Sequence, residues 1–193
     1  MPLILASNSE IRRFMLTQSG IEFVICAPVF DEAGPKETHQ GDDESLVRLL
    51  AEGKARSVAA GADDWVIGSD SMISVDGMRY SKPRDRDEAE RHLRAFSGRT
   101  MILSSSVALA RAGQVDWSHS ESARLEVRSL SESFIRAYLD AEWPEVGCCV
   151  GVFRMEGRGV TLFDQVEGSH FTILGMPLLP LLGALRERDM LPS

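Results

Sequence analysis

The sequence predicts a mixed α/β fold, and three observations lead there. Short apolar runs such as Leu3-Ile4-Leu5-Ala6 and Trp65-Val66-Ile67 alternate with segments whose apolar residues recur at helical spacing. Hairpin signals at Asp76-Gly77 and Ala112-Gly113 interrupt that alternation, so the sheet is expected to be mixed rather than all-parallel. A hydrophobic content of 44% and a charged content of 26% over 193 residues are enough for a buried core in one domain or two small lobes.

The elements follow in order. Leu3 to Ala6 reads as a buried strand that stops at the polar turn Ser7-Asn8-Ser9. Ile11, Met15 and Leu16 then mark a helix starting near Ser9, with Gly20 at its end. Phe23 to Cys26 reads as a strand and Pro28 to Gln40 as a polar loop carrying Asp31-Glu32. Leu46, Leu49, Leu50 and Val58 predict a long helix over Glu44 to Ala60. Trp65 to Ser69 is a second apolar strand, expected to end at Asp70-Ser71, and Met72 to Tyr80 a hairpin turning at Asp76-Gly77. Ser81-Lys82-Pro83 is a loop, and Arg86 to Phe96 a helix stopping before Gly98. Thr100 to Ala110 and Val115 to Val127 read as long strands, and Ser131 to Ala141 as a helix capped by Ser131. Cys149 to Arg154, Val160 to Phe163 and Phe171 to Leu174 read as strands, with a turn at Gly157-Arg158-Gly159. Leu178 to Arg188 is a final helix, and no internal repeat or obvious linker divides the chain.

Charge and cysteine content narrow the functional classes. Twenty-one basic against 29 acidic residues leave a net charge of −8, which disfavours broad nucleic-acid binding but permits a local basic pocket. Cys26, Cys148 and Cys149 form neither a disulfide framework nor a zinc motif, as expected in a reducing cytoplasm. The adjacent pair, on a strand, would leave one thiol buried and one exposed. No signal peptide is apparent, and the longest apolar stretch, Phe171 to Leu185, is broken by Gly175, Pro177 and Pro180, so no membrane span is expected.

Several residues are candidates for chemistry. The helix start after Ser7 and Ser9, with Arg12 and Arg13 in its first turn, suits a phosphate, because unpaired N–H groups, hydroxyls and two cations converge there. Taken alone, the plainer reading of this segment is Ser9 as an N-cap and the arginines as a solvated face. Asp70, at an expected strand end, is placed to bind a divalent metal or take a proton from water; an aspartate there equally caps a turn. Lys82 beside Pro83 and Lys54 within a helix are cations whose plainer reading is a solvated surface. Gly53 costs roughly 1 kcal/mol in a helix interior, which points to close approach by another group. Asp31-Glu32 could hold Mg²⁺ together with substrate phosphates. His39, His92, His119 and His170 have no metal-binding spacing, and neither a GxSxG nor a Walker motif is present.

Individually these signals are weak; in order they are specific. Leu5-Ala6-Ser7-Asn8-Ser9 with Arg12-Arg13, Val29-Phe30-Asp31-Glu32, Lys54-Ala55, Gly68-Ser69-Asp70-Ser71, Ser81-Lys82-Pro83, Leu93 to Gly98, and Glu156-Gly157-Arg158-Gly159 running on to Glu167-Gly168 and Leu174 to Leu178 span nearly the whole chain. Together they resemble the Maf family of nucleoside triphosphate pyrophosphatases, as a single domain over residues 1–193. The resemblance implies an elongated, twisted sheet flanked by helices, with two lobes around a nucleotide-binding cleft. It implies hydrolysis of a nucleoside triphosphate between its α- and β-phosphates, with Mg²⁺ or Mn²⁺, and commonly a homodimer. By position, Asp70 matches the family's catalytic aspartate and a metal ligand; Ser7, Arg12, Glu32, Lys54 and Lys82 match its phosphate- and metal-handling residues, with Ser9 and Arg13 beside them. Ile11, Ser71 and Glu156 fall where the family varies with the base it accepts.

The chain departs from the family start, where Pro stands at the place of Glu10, and Ile11 lacks the aromatic or basic group common at its position. Its Ser69-Asp70-Ser71 and Met155-Glu156-Gly157 segments resemble the 7-methyl-GTP pyrophosphatase branch more than the pyrimidine-type branch. The family is also linked with septum formation. A nucleotide-binding regulator of cell division with weak hydrolysis is therefore the alternative to a dedicated enzyme.

Overall fold

Leu3, Ile4, Leu5 and Ala6 are all buried, and a strand with both faces covered belongs inside a sheet. In the computed structural model, which describes residues 2–192, they form β1 (Leu3–Ala6). The chain continues through α1 (Glu10–Gln18), β2 (Val24–Ile25), α2 (Ala33–Thr38), α3 (Asp43–Arg56), β3 (Trp65–Val75), β4 (Met78–Tyr80), α4 (Arg86–Phe96), β5 (Thr100–Arg111), β6 (Gln114–Val127) and α5 (Glu132–Glu142). Short 3₁₀ helices at Glu145–Cys148 and Arg158–Leu162 precede β7 (Phe163–Glu167), α6 (His170–Ile173) and α7 (Leu178–Arg186). The seven strands form one mixed sheet in the order β2-β1-β3-β5-β6-β7, with β4 paired to β3. β1 runs parallel to both β2 and β3, whereas β3–β4 and β6–β7 are antiparallel.

Two compact units are distinguishable: residues 1–71, 104–122 and 169–193, and residues 72–103 and 123–168. In the first, one cluster joins Leu3 and Leu5 of β1, Ile67 of β3 and Leu109 of β5 to Leu16 of α1 and Leu181 and Leu185 of α7. Leu5, Leu16, Ile67 and Leu109 have no exposed surface, and each such side chain stabilises the fold by roughly 1.5–3 kcal/mol. A separate cluster packs Ala51 and Ala55 of α3 on Ala108 and Ala110 of β5. In the second unit α4 packs on α5, and the rings of Tyr80, His92 and Phe96 meet edge-on or tilted. Asp85 caps α4 by accepting from the Glu88 N–H, and Ser131 caps α5 by accepting from the Phe134 N–H. No helix among the described residues is long and apolar enough to cross a membrane.

Several local expectations need correction. The strand at Trp65 does not stop at Asp70-Ser71 but runs on to Val75, so Asp70 lies within β3. The hairpin turn itself is as expected, with Asp76 and Gly77 both at positive φ. The polar loop after Pro28 contains the short helix α2. Cys149 to Arg154 is not a strand but follows a 3₁₀ helix, Val160 lies in another 3₁₀ helix, and Phe171 to Ile173 belongs to α6. These three segments are short apolar runs, for which periodicity does not separate strand from helix.

Candidate active site

The site is built on β3. Alternation along a strand sends successive side chains to opposite faces. Ser69 and Ser71 therefore point one way and Asp70 the other, and the structure gives each face its own partners.

On the Asp70 face lies α3. A Cβ on Gly68 would stand 2.1 Å from the Ala51 carbonyl oxygen and 2.5 Å from the Ala55 nitrogen, so only glycine lets α3 lie this close to β3. That approach brings Lys54 to Asp70, with Nζ donating to Oδ1 at 2.6 Å. The other oxygen, Oδ2, is buried and has no hydrogen-bond partner among the described residues. Gly53 answers to a second close approach, expected from its place in a helix. The Phe30 ring lies where its Cβ would be, at 2.3 Å. Phe30 thereby seats the following segment on α3, and Glu32 Oε1 reaches Lys54 Nζ at 2.8 Å. Lys36, one turn into α2, contacts Glu32 Oε2 at 2.5 Å. Partial burial opposes ionisation of Glu32, but hydrogen bonds from Lys36 and Lys54 outweigh it and hold the carboxyl down at about 2.

On the opposite face, Ser69 Oγ and Ser71 Oγ donate to the Gly175 carbonyl at 3.1 and 3.0 Å. Arg12 reaches the same place from α1. Its Nε donates to the Gly175 carbonyl at 2.9 Å, Nη1 to the Ser69 carbonyl at 2.9 Å and Nη2 to Ser71 Oγ at 3.0 Å. Burial pushes the Arg12 pKa down while Asp70 and Glu32 oppose the shift; the guanidinium remains a cation near neutrality. Ser105 Oγ, fully buried, lies 2.9 Å from Ser71 Oγ and 2.8 Å from the Thr172 carbonyl, extending the network to β5 and α6.

Of the residues singled out from the sequence, Glu32, Lys54 and Asp70 are thus brought together around the Lys54 ammonium, while Arg12 lies on the other face of β3, near enough for the charges of both carboxylates to act on it. Ser7 is buried, and its Oγ accepts from the Ser9 N–H at 3.1 Å. Ser9 occupies the N-cap position of α1 without a capping side-chain bond. Arg13 is exposed and only loosely paired with Glu10, at 3.9 Å, while Ile11 is partly buried beside it. Ser71 belongs to the Gly175 network rather than to the Asp70 face. Lys82, in the loop after β4, and Glu156, in the turn before the second 3₁₀ helix, are exposed residues of the second unit. Both act on Cys149. Burial, Glu156 and Cys148 push that thiol up to about 11 while Lys82 opposes them, so it is neutral and unreactive near pH 7. Cys148 is exposed and Cys149 half-buried. Ser105, Thr172 and the Gly175 carbonyl carry no local sequence signal, because their roles arise from residues distant in the chain; Lys36 was missed, although its place four residues after Glu32 is the spacing of a helical ion pair.

Glu32 and Asp70 offer hard oxygen donors, one of them buried and unpaired. That set fits Mg²⁺ or Mn²⁺, which bind one or two carboxylates and complete their shell with water and phosphate oxygens. Among the described residues no group of three or more His, Cys, Asp and Glu could hold a metal by itself, so a ligand shell here would be completed by water or by the substrate's oxygens.

The sequence profile of the family described as Maf-like protein matches residues 2–188. The chain is 42% identical to a 7-methyl-GTP pyrophosphatase of Rhizobium meliloti over 96% of its own length and 95% of the relative's. It is also 42% identical to a nucleoside triphosphate pyrophosphatase of Nitrobacter winogradskyi, over 98% and 95%, and 38% identical to one of Gluconobacter oxydans, over 99% and 97%.

Proposed function

Because the chain belongs to the Maf-like protein family, we propose that it is a nucleoside triphosphate pyrophosphatase, releasing a nucleoside monophosphate and pyrophosphate. The observation that carries this reading is Asp70. One carboxylate oxygen is fixed by Lys54, and the other is buried and free to accept a hydrogen bond from water.

In this reading Asp70 Oδ2 orients a water molecule and takes its proton as the water attacks the α-phosphorus. The bond from that phosphorus to the bridging oxygen breaks, and pyrophosphate leaves with the electron pair. Lys54 holds Asp70 in place through their ion pair. Glu32 and Asp70 are the residues that would hold a divalent cation, which would polarise the phosphoryl oxygens and share the charge of the triphosphate. Arg12 spends three of its five N–H donors on the Gly175 network and keeps two for a phosphate. Ser7, Ser9 and Arg13 complete the phosphate contacts of this unit.

Glu156 reads the base. Its carboxylate can accept from the N1–H and N2–H₂ edge of guanine, and its charge complements a methylated, cationic purine. Relatives named for 7-methyl-GTP and for nucleoside triphosphates in general stand at the same 42% identity. The test is therefore pyrophosphate release, with Mg²⁺ or Mn²⁺, from 7-methyl-GTP, GTP, dTTP, UTP, CTP and ATP. Fast release from one or a few supports the enzyme, and a guanine preference lost in Glu156→Gln supports the assigned base contact. Nucleotide binding without release from any would replace the enzyme with a binding regulator.

A further inference from the structure

Glu32 carries an ammonium group on each oxygen, Lys54 Nζ at 2.8 Å from Oε1 and Lys36 Nζ at 2.5 Å from Oε2. The two lysines are not equivalent. The Lys54 side chain is 11% exposed and also bound to Asp70, so moving it would strip the counter-charge from a buried carboxylate. The Lys36 side chain is 37% exposed, and Glu32 is its one ion-pair partner among the described residues. An exposed lysine gives up such a pair at little cost, because water rehydrates the ammonium. A cation seeking Glu32 therefore meets a carboxylate already neutralised twice over, with only one of its two occupants free to leave.

We infer that Lys36 is a displaceable latch on Glu32. It fills the place of the metal in the metal-free protein, raises the cation concentration needed to load the site, and leaves Oε2 when a divalent ion arrives. This inference rests on the proposed role of Glu32 as a metal ligand. A monovalent cation gains too little from one carboxylate to displace the latch, so Lys36 also biases the site toward divalent ions.

The test is Mn²⁺ titration of the full chain without nucleotide, following the paramagnetic resonance signal of the free ion. The variants are Lys36→Met, Lys36→Arg and Glu32→Gln. Lys36→Met is expected to bind Mn²⁺ about three- to tenfold more tightly than the unmodified protein, through loss of one nearby positive charge. Lys36→Arg, which keeps that charge, is expected to stay within about twofold of it, and Glu32→Gln to bind more weakly. Equal or weaker binding by Lys36→Met, including no binding by either protein, overturns the latch and leaves Lys36–Glu32 an ordinary helix-surface pair. Weaker binding by Glu32→Gln with Lys36→Met unchanged removes the latch alone. Unchanged binding by Glu32→Gln removes Glu32 as a ligand, and with it both the latch and that part of the proposed mechanism.

Discussion

The Lys54 ammonium lies 2.6 Å from Asp70 Oδ1, while Asp70 Oδ2 is buried with no hydrogen-bond partner among the described residues. The two oxygens of one carboxylate are thus assigned different tasks, one to anchorage and one to chemistry. Replacing Asp70 by Asn keeps the shape and lets the amide oxygen accept from Lys54, but it removes the base. We expect Asp70→Asn to fold normally by circular dichroism and to lose on the order of 10²- to 10⁴-fold in kcat. Normal turnover by this variant would remove Asp70 from the mechanism.

Gly68 tests the packing that creates the pair. Adding a methyl group 2.1 Å from the Ala51 carbonyl oxygen forces α3 away from β3. Gly68→Ala is expected to lower stability by about 1–3 kcal/mol, read from the denaturant midpoint, and to lower kcat by lengthening the Lys54–Asp70 contact. A variant as stable as the unmodified chain would mean that the two elements do not meet this closely.

Arg12 separates charge from geometry. Lysine keeps the positive charge but cannot make three fixed bonds to the Ser69 carbonyl, Ser71 Oγ and the Gly175 carbonyl. Arg12→Lys is expected to retain less than about a tenth of kcat/KM. Retention near the original value would reduce Arg12 to a general source of charge.

Glu32 makes the folded state sensitive to acid. Its folded pKa of about 2 lies below the ordinary value of 4.5, so its contribution to stability is full above about 4.5 and is lost as pH falls toward 2. The contribution is trimmed by solvent, because the side chain is 34% exposed. The stability gap between the metal-free protein and Glu32→Gln should therefore close between pH 4.5 and 2, measured by urea unfolding across that range. A gap independent of pH would show that the lysines do not hold this carboxylate.

The legibility of the fold varied with how local its causes are. The Arg86–Phe96 helix, its Asp85 cap and the Asp76-Gly77 turn depend on neighbours in sequence, and the two elements could be placed from the residues alone. Ser69-Asp70-Ser71 reads as a strand end because three polar residues in a row resemble a turn. The structure continues the strand because Lys54, Arg12 and the Gly175 carbonyl, all remote in sequence, satisfy those polar groups. Asp70 and Lys54 could be singled out through family resemblance, but the division of labour between the Asp70 oxygens could not. The helix at Ala33–Thr38, which delivers Lys36 to Glu32, lies in a stretch containing Gly34 and Pro35 whose helicity no sequence rule favours.

The two-sided construction of β3 also limits how the gene can change. One residue inserted or deleted between Gly68 and Asp70 would exchange the faces, turning the carboxylate toward Gly175 and a serine toward Lys54. Length variation is therefore expected in the connecting loops, whereas the spacing from Gly68 to Ser71 tolerates substitution more readily than any change in residue count.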